Sequence, residues 1–204
     1  MISAQLSAFD FYLVEVDIKL FLQIVGVVLG LLYLGLEYRA DIRLWIVGLV
    51  MPVVHGALYY KAGLYADFSM QVYYVLAGLY GWVVWHNAPR KGASAGAIAH
   101  TPWKWLPALV VGYAVLHAAI YGLLVHFTDS AVPFWDSLTT ALCIVAYWML
   151  SRKWVEQWLV WLAVDAVSAG LYVCKGIPLT AGLYVLYSVL AMAGYLRWRR
   201  QAAR

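Results

Sequence analysis

The 204-residue chain reads as an all-α membrane protein with seven transmembrane helices, and three observations predict that class. Hydrophobic residues make up 65% of it and charged residues only 12%, about half the ~25% that a soluble domain carries. The apolar residues fall in blocks that, at about 1.5 Å per residue, cross a hydrocarbon core of about 30 Å. Connections between the blocks are short, so residues 1–204 form a single transmembrane domain with no room for a soluble one.

Taken in order, residues 1–17 lack a basic start and carry Asp10, Glu15 and Asp17, which does not fit a cleavable signal. A first helix covers about 18–36 and ends at Glu37 and Arg39, read as a gate or structural ion pair. The second, about 44–60, offers Trp45, Pro52, His55 and Tyr59. The third, about 66–86, aligns Asp67, Gln71, Tyr74, Gly78 and Gly81 at helical spacing. A fourth helix is predicted over about 105–126 and a fifth over about 134–150. Interfacial aromatics extend the reach of the shorter spans.

The sixth helix, about 154–174, contains WLVWLAVDAVSAGLY (158–172), with one carboxylic acid, Asp165, at its middle. An acid at the bilayer centre costs roughly 2.5–3.5 kcal/mol even on the lenient insertion scale, so it needs a reason to be there. Trp158, Trp161, Asp165, Ser168 and Tyr172 follow steps of three and four and form one stripe on an otherwise Leu, Val and Ala helix. The seventh helix, about 177–196, presents Thr180, Tyr184, Tyr187, Ala191 and Gly194 in the same way. Small residues on the third and seventh helices permit close packing.

Basic residues set the orientation. With the amino terminus outside, Arg39, Arg43, Arg90, Lys91, Lys104, Arg152, Lys153, Arg197, Arg199, Arg200 and Arg204 all fall on the cytoplasmic side. Only Lys19, Lys61 and Lys175 fall on the other, which is the positive-inside pattern. The net charge of +4 is therefore a topological signal, and no loop carries the basic, aromatic-laced patch of a nucleic-acid binder.

A shift of 113 residues partly superimposes the chain on itself. Residues 21–85 match 134–198 at fourteen of 65 positions, including Arg39 with Arg152, Trp45 with Trp158, Tyr59 with Tyr172 and Gly63 with Gly176. Tyr74 with Tyr187, Gly81 with Gly194 and Trp85 with Trp198 complete the register, against roughly five matches expected by chance. Repeat one is then about 18–86 and repeat two about 134–198, with the fourth helix (about 105–126) as linker. Copies that enter from the same side are parallel repeats, the SWEET-like arrangement, in which substrate lies at the repeat interface near the midplane.

The polar and aromatic faces converge on that interface. The expected substrate-binding residues are Asp165, Gln71, Tyr74, Trp161, Ser168, Tyr184, Tyr187 and Trp158. Such a lining suits a flat aromatic cation, held by ring faces and a carboxylate counter-charge. Cys143 and Cys174 lie on different helices and no ligand spacing links the histidines, so no disulfide, metal or cofactor is expected. A nucleophile–base pair is missing, which argues against an enzyme. The last helix has no lysine for a retinal Schiff base.

The runs VPFWDS (132–137), SRKWVEQWLVW (151–161), GLYVCKG (170–176) and GYLRW (194–198) resemble the Pnu family of bacterial vitamin transporters, as do LEYRA (36–40) and LYADFSMQVYYVLAGLYGWVVW (64–85). The resemblance implies a SWEET-like homotrimer in the bacterial cytoplasmic membrane. It also implies facilitated diffusion of an unphosphorylated vitamin, trapped by a cytoplasmic kinase. Several nicotinamide riboside carriers of the family have asparagines at the counterparts of Gly78 and Asp165. The wording QVYYVLAGLYGW and VDAVSAGLY is closer to thiamine-type members, so thiamine is the expected substrate. Nicotinamide riboside is the alternative, and riboflavin comes third.

Overall fold

The computed structural model describes residues 24–61, 65–87, 97–174 and 176–203. Outside them lie the acidic stretch 1–17, the start of the first helix, and Lys19, Gly63, Arg90, Lys91, Lys175 and Arg204. Seven helices are described: α1 (Ile24–Tyr38), α2 (Arg43–Lys61), α3 (Tyr65–His86), α4 (Leu106–Phe127), α5 (Pro133–Ser151), α6 (Gln157–Cys174) and α7 (Pro178–Ala202). A 3-10 turn, Trp103–Trp105, leads into α4. Four of the helical segments, α2, the 3-10 turn with α4, α6 and α7, are long and apolar enough to cross a membrane. The α3 and α5 helices, with 22 and 19 residues, are of similar length.

Local sequence explains the boundaries. Pro133 and Pro178 open α5 and α7, where a missing N–H costs nothing. The α7 helix runs past the predicted 196 because Arg199 and Arg200 complement the carbonyl end of the helix dipole. In contrast, α6 begins at Gln157 rather than 154. The backbone of 153–155 is engaged by Ala99, in an isolated parallel β-bridge between Ala99 and Trp154.

The chain divides into two compact units, Met1–Val75 and Leu76–Arg204. In the first, α1 and α2 approach closely at Gly48, where a Cβ would stand 2.9 Å from the Tyr33 ring. A Cβ on Gly56 of α2 would stand 3.4 Å from that of Gln71 on α3, and the Tyr60 and Phe68 rings lie 5.3 Å apart. In the second unit, α6 packs between α5 and α7, and α4 packs on α5. The His117 ring of α4 stacks on Tyr113, and its Nδ1 lies 3.1 Å from the Ser137 hydroxyl of α5. No residue of α4 is buried within the unit.

Two turns share one hydrogen-bond pattern. After α1, Ala40 N–H donates to Glu37 O and Asp41 N–H to Leu36 O, around Ala40 at φ 52°. After α5, Lys153 N–H donates to Leu150 O and Trp154 N–H to Met149 O, around Lys153 at φ 54°. Both are Schellman caps with a residue other than glycine in the left-handed position, and 153 − 40 = 113 places them at the offset of the sequence match.

Candidate functional site

The stripe predicted on α6 runs through the second unit. Trp158, Asp165 and Ser168 are buried, and Trp161 and Tyr172 are half-buried. Asp165 lies eight residues from the start of α6 and nine from its end, the middle of the span. Its side chain is 9% exposed and has no hydrogen-bond partner among the described residues. Nearby are Tyr184 and Tyr187 of α7 and Cys143 of α5, all within electrostatic reach of the carboxyl group. A membrane-buried acid without a hydrogen bond is costly, and the expected remedy is a partner that arrives from outside the protein.

Aromatic rings surround this acid. Tyr172 stacks on Tyr184 with centroids 5.3 Å apart and planes 14° from parallel, and Tyr187 meets Tyr184 edge-on at 6.0 Å. Toward the start of α6, Trp161 meets Tyr147 of α5 edge-on at 5.7 Å. The indole Nε1 of Trp161 is buried without a hydrogen-bond partner, a donor available to an acceptor. Cys143 and Tyr147, one helical turn apart, therefore add an α5 wall that the sequence reading omitted. The signal was available in the sequence, since Asp136, Thr140, Cys143, Tyr147 and Ser151 follow steps of three and four along α5.

Trp158 is placed differently from the rest. Its ring lies flat on Gly194, where an added Cβ would fall 2.6 Å from the indole, and it meets Trp198 edge-on at 5.7 Å. It is 1% exposed, so it forms packed floor beneath the acidic site. Gln71 and Tyr74 belong to the first unit, with Gln71 close to Gly56 and Tyr74 edge-on to Tyr73 at 5.5 Å. The residues that the geometry of the second unit brings together are thus Asp165, Trp161, Ser168, Tyr184 and Tyr187. At the end of α1, Glu37 is 1% exposed while Arg39 is exposed, and the ion pair displayed at this turn joins Asp41 to Arg43 at 2.6 Å. Among the described residues no three His, Cys, Asp or Glu side chains form a group suited to a metal ion.

An all-helical chain with apolar spans of membrane length and a mid-span acid is that of a multi-pass membrane protein. The model of the nicotinamide mononucleotide transporter family matches residues 20–200, and the chain belongs to that family. It is 26% identical to the nicotinamide riboside transporter PnuC of Escherichia coli K12, over 89% of this chain and 86% of that protein. It is 28% identical to the riboflavin/roseoflavin transporter RibM of Streptomyces davaonensis, over 88% and 85%. The PnuC of Neisseria mucosa is 26% identical over 88% of this chain and 72% of its own length. The crystal structure of a vitamin B3 transporter PnuC superimposes with a TM-score of 0.65 at 25% identity, covering 87% of this chain and 80% of that one. The protein is accordingly a vitamin transporter of the PnuC type and not an enzyme.

Proposed function

We propose that this chain carries nicotinamide riboside across the membrane by facilitated diffusion, with Asp165 as the counter-charge to its cationic ring. The observation that carries this reading is Asp165 itself, a mid-span residue 9% exposed, with no hydrogen bond to its carboxyl group among the described residues. The relatives favour the riboside over the thiamine expected from the wording of the sequence. Two of those described carry nicotinamide riboside in their names, one carries riboflavin, and thiamine has no support among them. Nicotinamide riboside and thiamine are both aromatic cations, so an acid among tyrosines suits either, and the names of the relatives support the riboside.

In this reading Trp161, Tyr184 and Tyr187 offer ring faces and edges, Ser168 offers a hydrogen bond, and Trp158 supports the site from α6. The helices α1–α3 and α5–α7 are two parallel copies of a three-helix motif joined by α4, in the SWEET-like manner. The fourteen matched positions and the two Schellman caps at the same 113-residue offset support the repeat. A homotrimer in the bacterial cytoplasmic membrane, with its carboxyl terminus in the cytoplasm beside a trapping kinase, completes the proposal.

Titration calorimetry on the purified protein tests it. Nicotinamide riboside should bind at least about tenfold more tightly than thiamine or riboflavin, a difference of about 1.4 kcal/mol. Asp165→Asn keeps the shape and removes the charge, and should weaken the riboside about tenfold. Tighter binding of thiamine would overturn the substrate assignment. An unchanged affinity in the variant would overturn the counter-charge role.

A further inference from the structure

The segment that leads into α4 is tied to the turn between α5 and α6 at three levels. Ala99 N–H donates to Lys153 O at 3.2 Å, and Val155 N–H donates to Ala99 O at 3.0 Å. Next along the chain, Glu156 uses both carboxylate oxygens. Oε1 lies 2.6 Å from His100 Nδ1, and Oε2 accepts the backbone N–H and the hydroxyl of Thr101, each at 2.7 Å. Beyond that, Trp105 packs on Trp148 at 5.3 Å and on Trp154 at 6.2 Å.

The turn between α1 and α2 has a different device. At the 113-residue offset the counterpart of Glu156 is Arg43, whose guanidinium pairs with Asp41 two residues away. That turn closes on itself, whereas the α5–α6 turn spends its acid on a distant segment. Glu156 is also the residue from which α6 starts, since its carbonyl accepts Leu159 N–H at 3.0 Å and Val160 N–H at 3.3 Å. An acid at that position ordinarily caps its own helix. Here the side chain reaches the other way, across 55 residues of sequence, to Thr101.

We propose that residues 97–101 form a strap latched by Glu156, and that Glu156 is a positioning residue that fixes the start of α6 during the transport cycle. Asp165 lies nine residues further on, about 13.5 Å along the helix axis, too far for Glu156 to touch a molecule bound there. Loss of the latch therefore acts on turnover, through the placement of α6, and leaves equilibrium binding nearly untouched. Geometry rather than charge holds the strap. In Glu156→Gln the amide oxygen accepts both Thr101 donors, and the amide NH2 donates to His100 Nδ1 in the tautomer protonated at Nε2.

The test compares wild type, Glu156→Ala and Glu156→Gln by hydrogen–deuterium exchange of the full-length protein in nanodiscs, and by nicotinamide riboside binding and uptake in liposomes. The uptake arm rests on the substrate reading above. In Glu156→Ala, peptides covering 97–101 and 153–156 should exchange about tenfold faster, while α4 and α5 keep their wild-type protection. Initial uptake should fall about fivefold with the dissociation constant unchanged within about threefold, and Glu156→Gln should remain near wild type in every measurement. Unaltered exchange in Glu156→Ala overturns the latch. Faster exchange with normal uptake, or a slowing that weaker binding fully explains, overturns the positioning role. If the wild type takes up no nicotinamide riboside, the substrate assignment fails by itself, and the exchange arm still decides the latch.

Discussion

Gly194 is where a single hydrogen atom decides how closely α7 approaches α6. The indole of Trp158 fills the space a side chain would need, with three ring carbons 2.6–2.7 Å from the position of a Cβ. Gly194→Ala should thus lower stability by about 1–3 kcal/mol through overpacking, read as a drop in thermal midpoint in detergent. Trp158→Leu in the same background should recover part of the loss, and no recovery would show that the strain lies elsewhere. Glu156 makes a second prediction at this scale. Burial pushes its carboxyl up, but the hydrogen bonds from His100 and Thr101 outweigh that and hold it below its ordinary value of 4.5. A depressed carboxyl stabilises the fold above its unfolded value and loses that contribution as pH falls through the folded one. The gap in thermal midpoint between wild type and Glu156→Ala should be constant from about pH 6 to 8 and narrow only below about pH 4.5, without closing, because the protonated acid still accepts from Thr101 as Gln does. A gap that narrows already near neutrality would overturn the assignment to the Glu156 carboxyl group. Asp165, Ser168 and Tyr184 were legible in the sequence because a polar residue every three or four positions stands out against Leu and Val. Cys143 and Tyr147 were passed over although they continue a stripe with Asp136, Thr140 and Ser151, because no charged residue marks that stripe at mid-span.

Among the elements, the two Schellman turns differ in what offsets their strain. A residue other than glycine in the left-handed region costs roughly 1–2 kcal/mol. Ala40 has no side-chain interaction to set against that cost. Lys153 does, since its ammonium lies 4.4 Å above the ring of Trp85, whose N–H in turn bonds to the end carbonyls of α5 at Leu150 (3.3 Å) and Ser151 (3.1 Å). Ala40→Gly should therefore raise stability by about 1 kcal/mol. Lys153→Gly should be nearly neutral, because it gives up a cation–π contact worth about 0.5–2 kcal/mol. Equal gains from both substitutions, measured as thermal midpoints, would show that the ammonium contributes nothing. The hydrophobic blocks located α2, α3, α4 and α5 to within one residue at each end, while α7 runs six residues beyond its predicted end. They could not place the true start of α6. Trp154 and Val155 look like span residues, and only the distant Ala99 diverts their backbone into a bridge.

On the scale of the whole molecule, the bias of basic residues predicts which ends of the helices meet the cytoplasm. A cysteine at Thr128, in a variant lacking Cys143 and Cys174, should react with an impermeant thiol reagent applied to intact cells, and one at Gln201 should not. The reverse result would invert the protein and exchange the two mouths of the path. Substrate choice was the least legible property. Composition and periodicity are silent on it, and the named relatives favour nicotinamide riboside over the thiamine expected from the wording of the sequence.

The absence of any buried residue on α4 within its unit bears on how the gene tolerates change. Val110, Val111, Val115 and Leu123 are each more than half exposed, so no neighbour in the unit dictates the shape of their side chains. In a saturation mutagenesis screen these codons should accept Leu, Ile, Val, Phe and Met almost interchangeably and reject charges, which cost roughly 2.5–3.5 kcal/mol in mid-membrane. Selection there reads oiliness and little else. These four positions are thus expected to drift in spelling while their hydropathy stays fixed, and alignments of distant relatives should be least reliable there, in contrast to Tyr113 and His117 on the face toward α5.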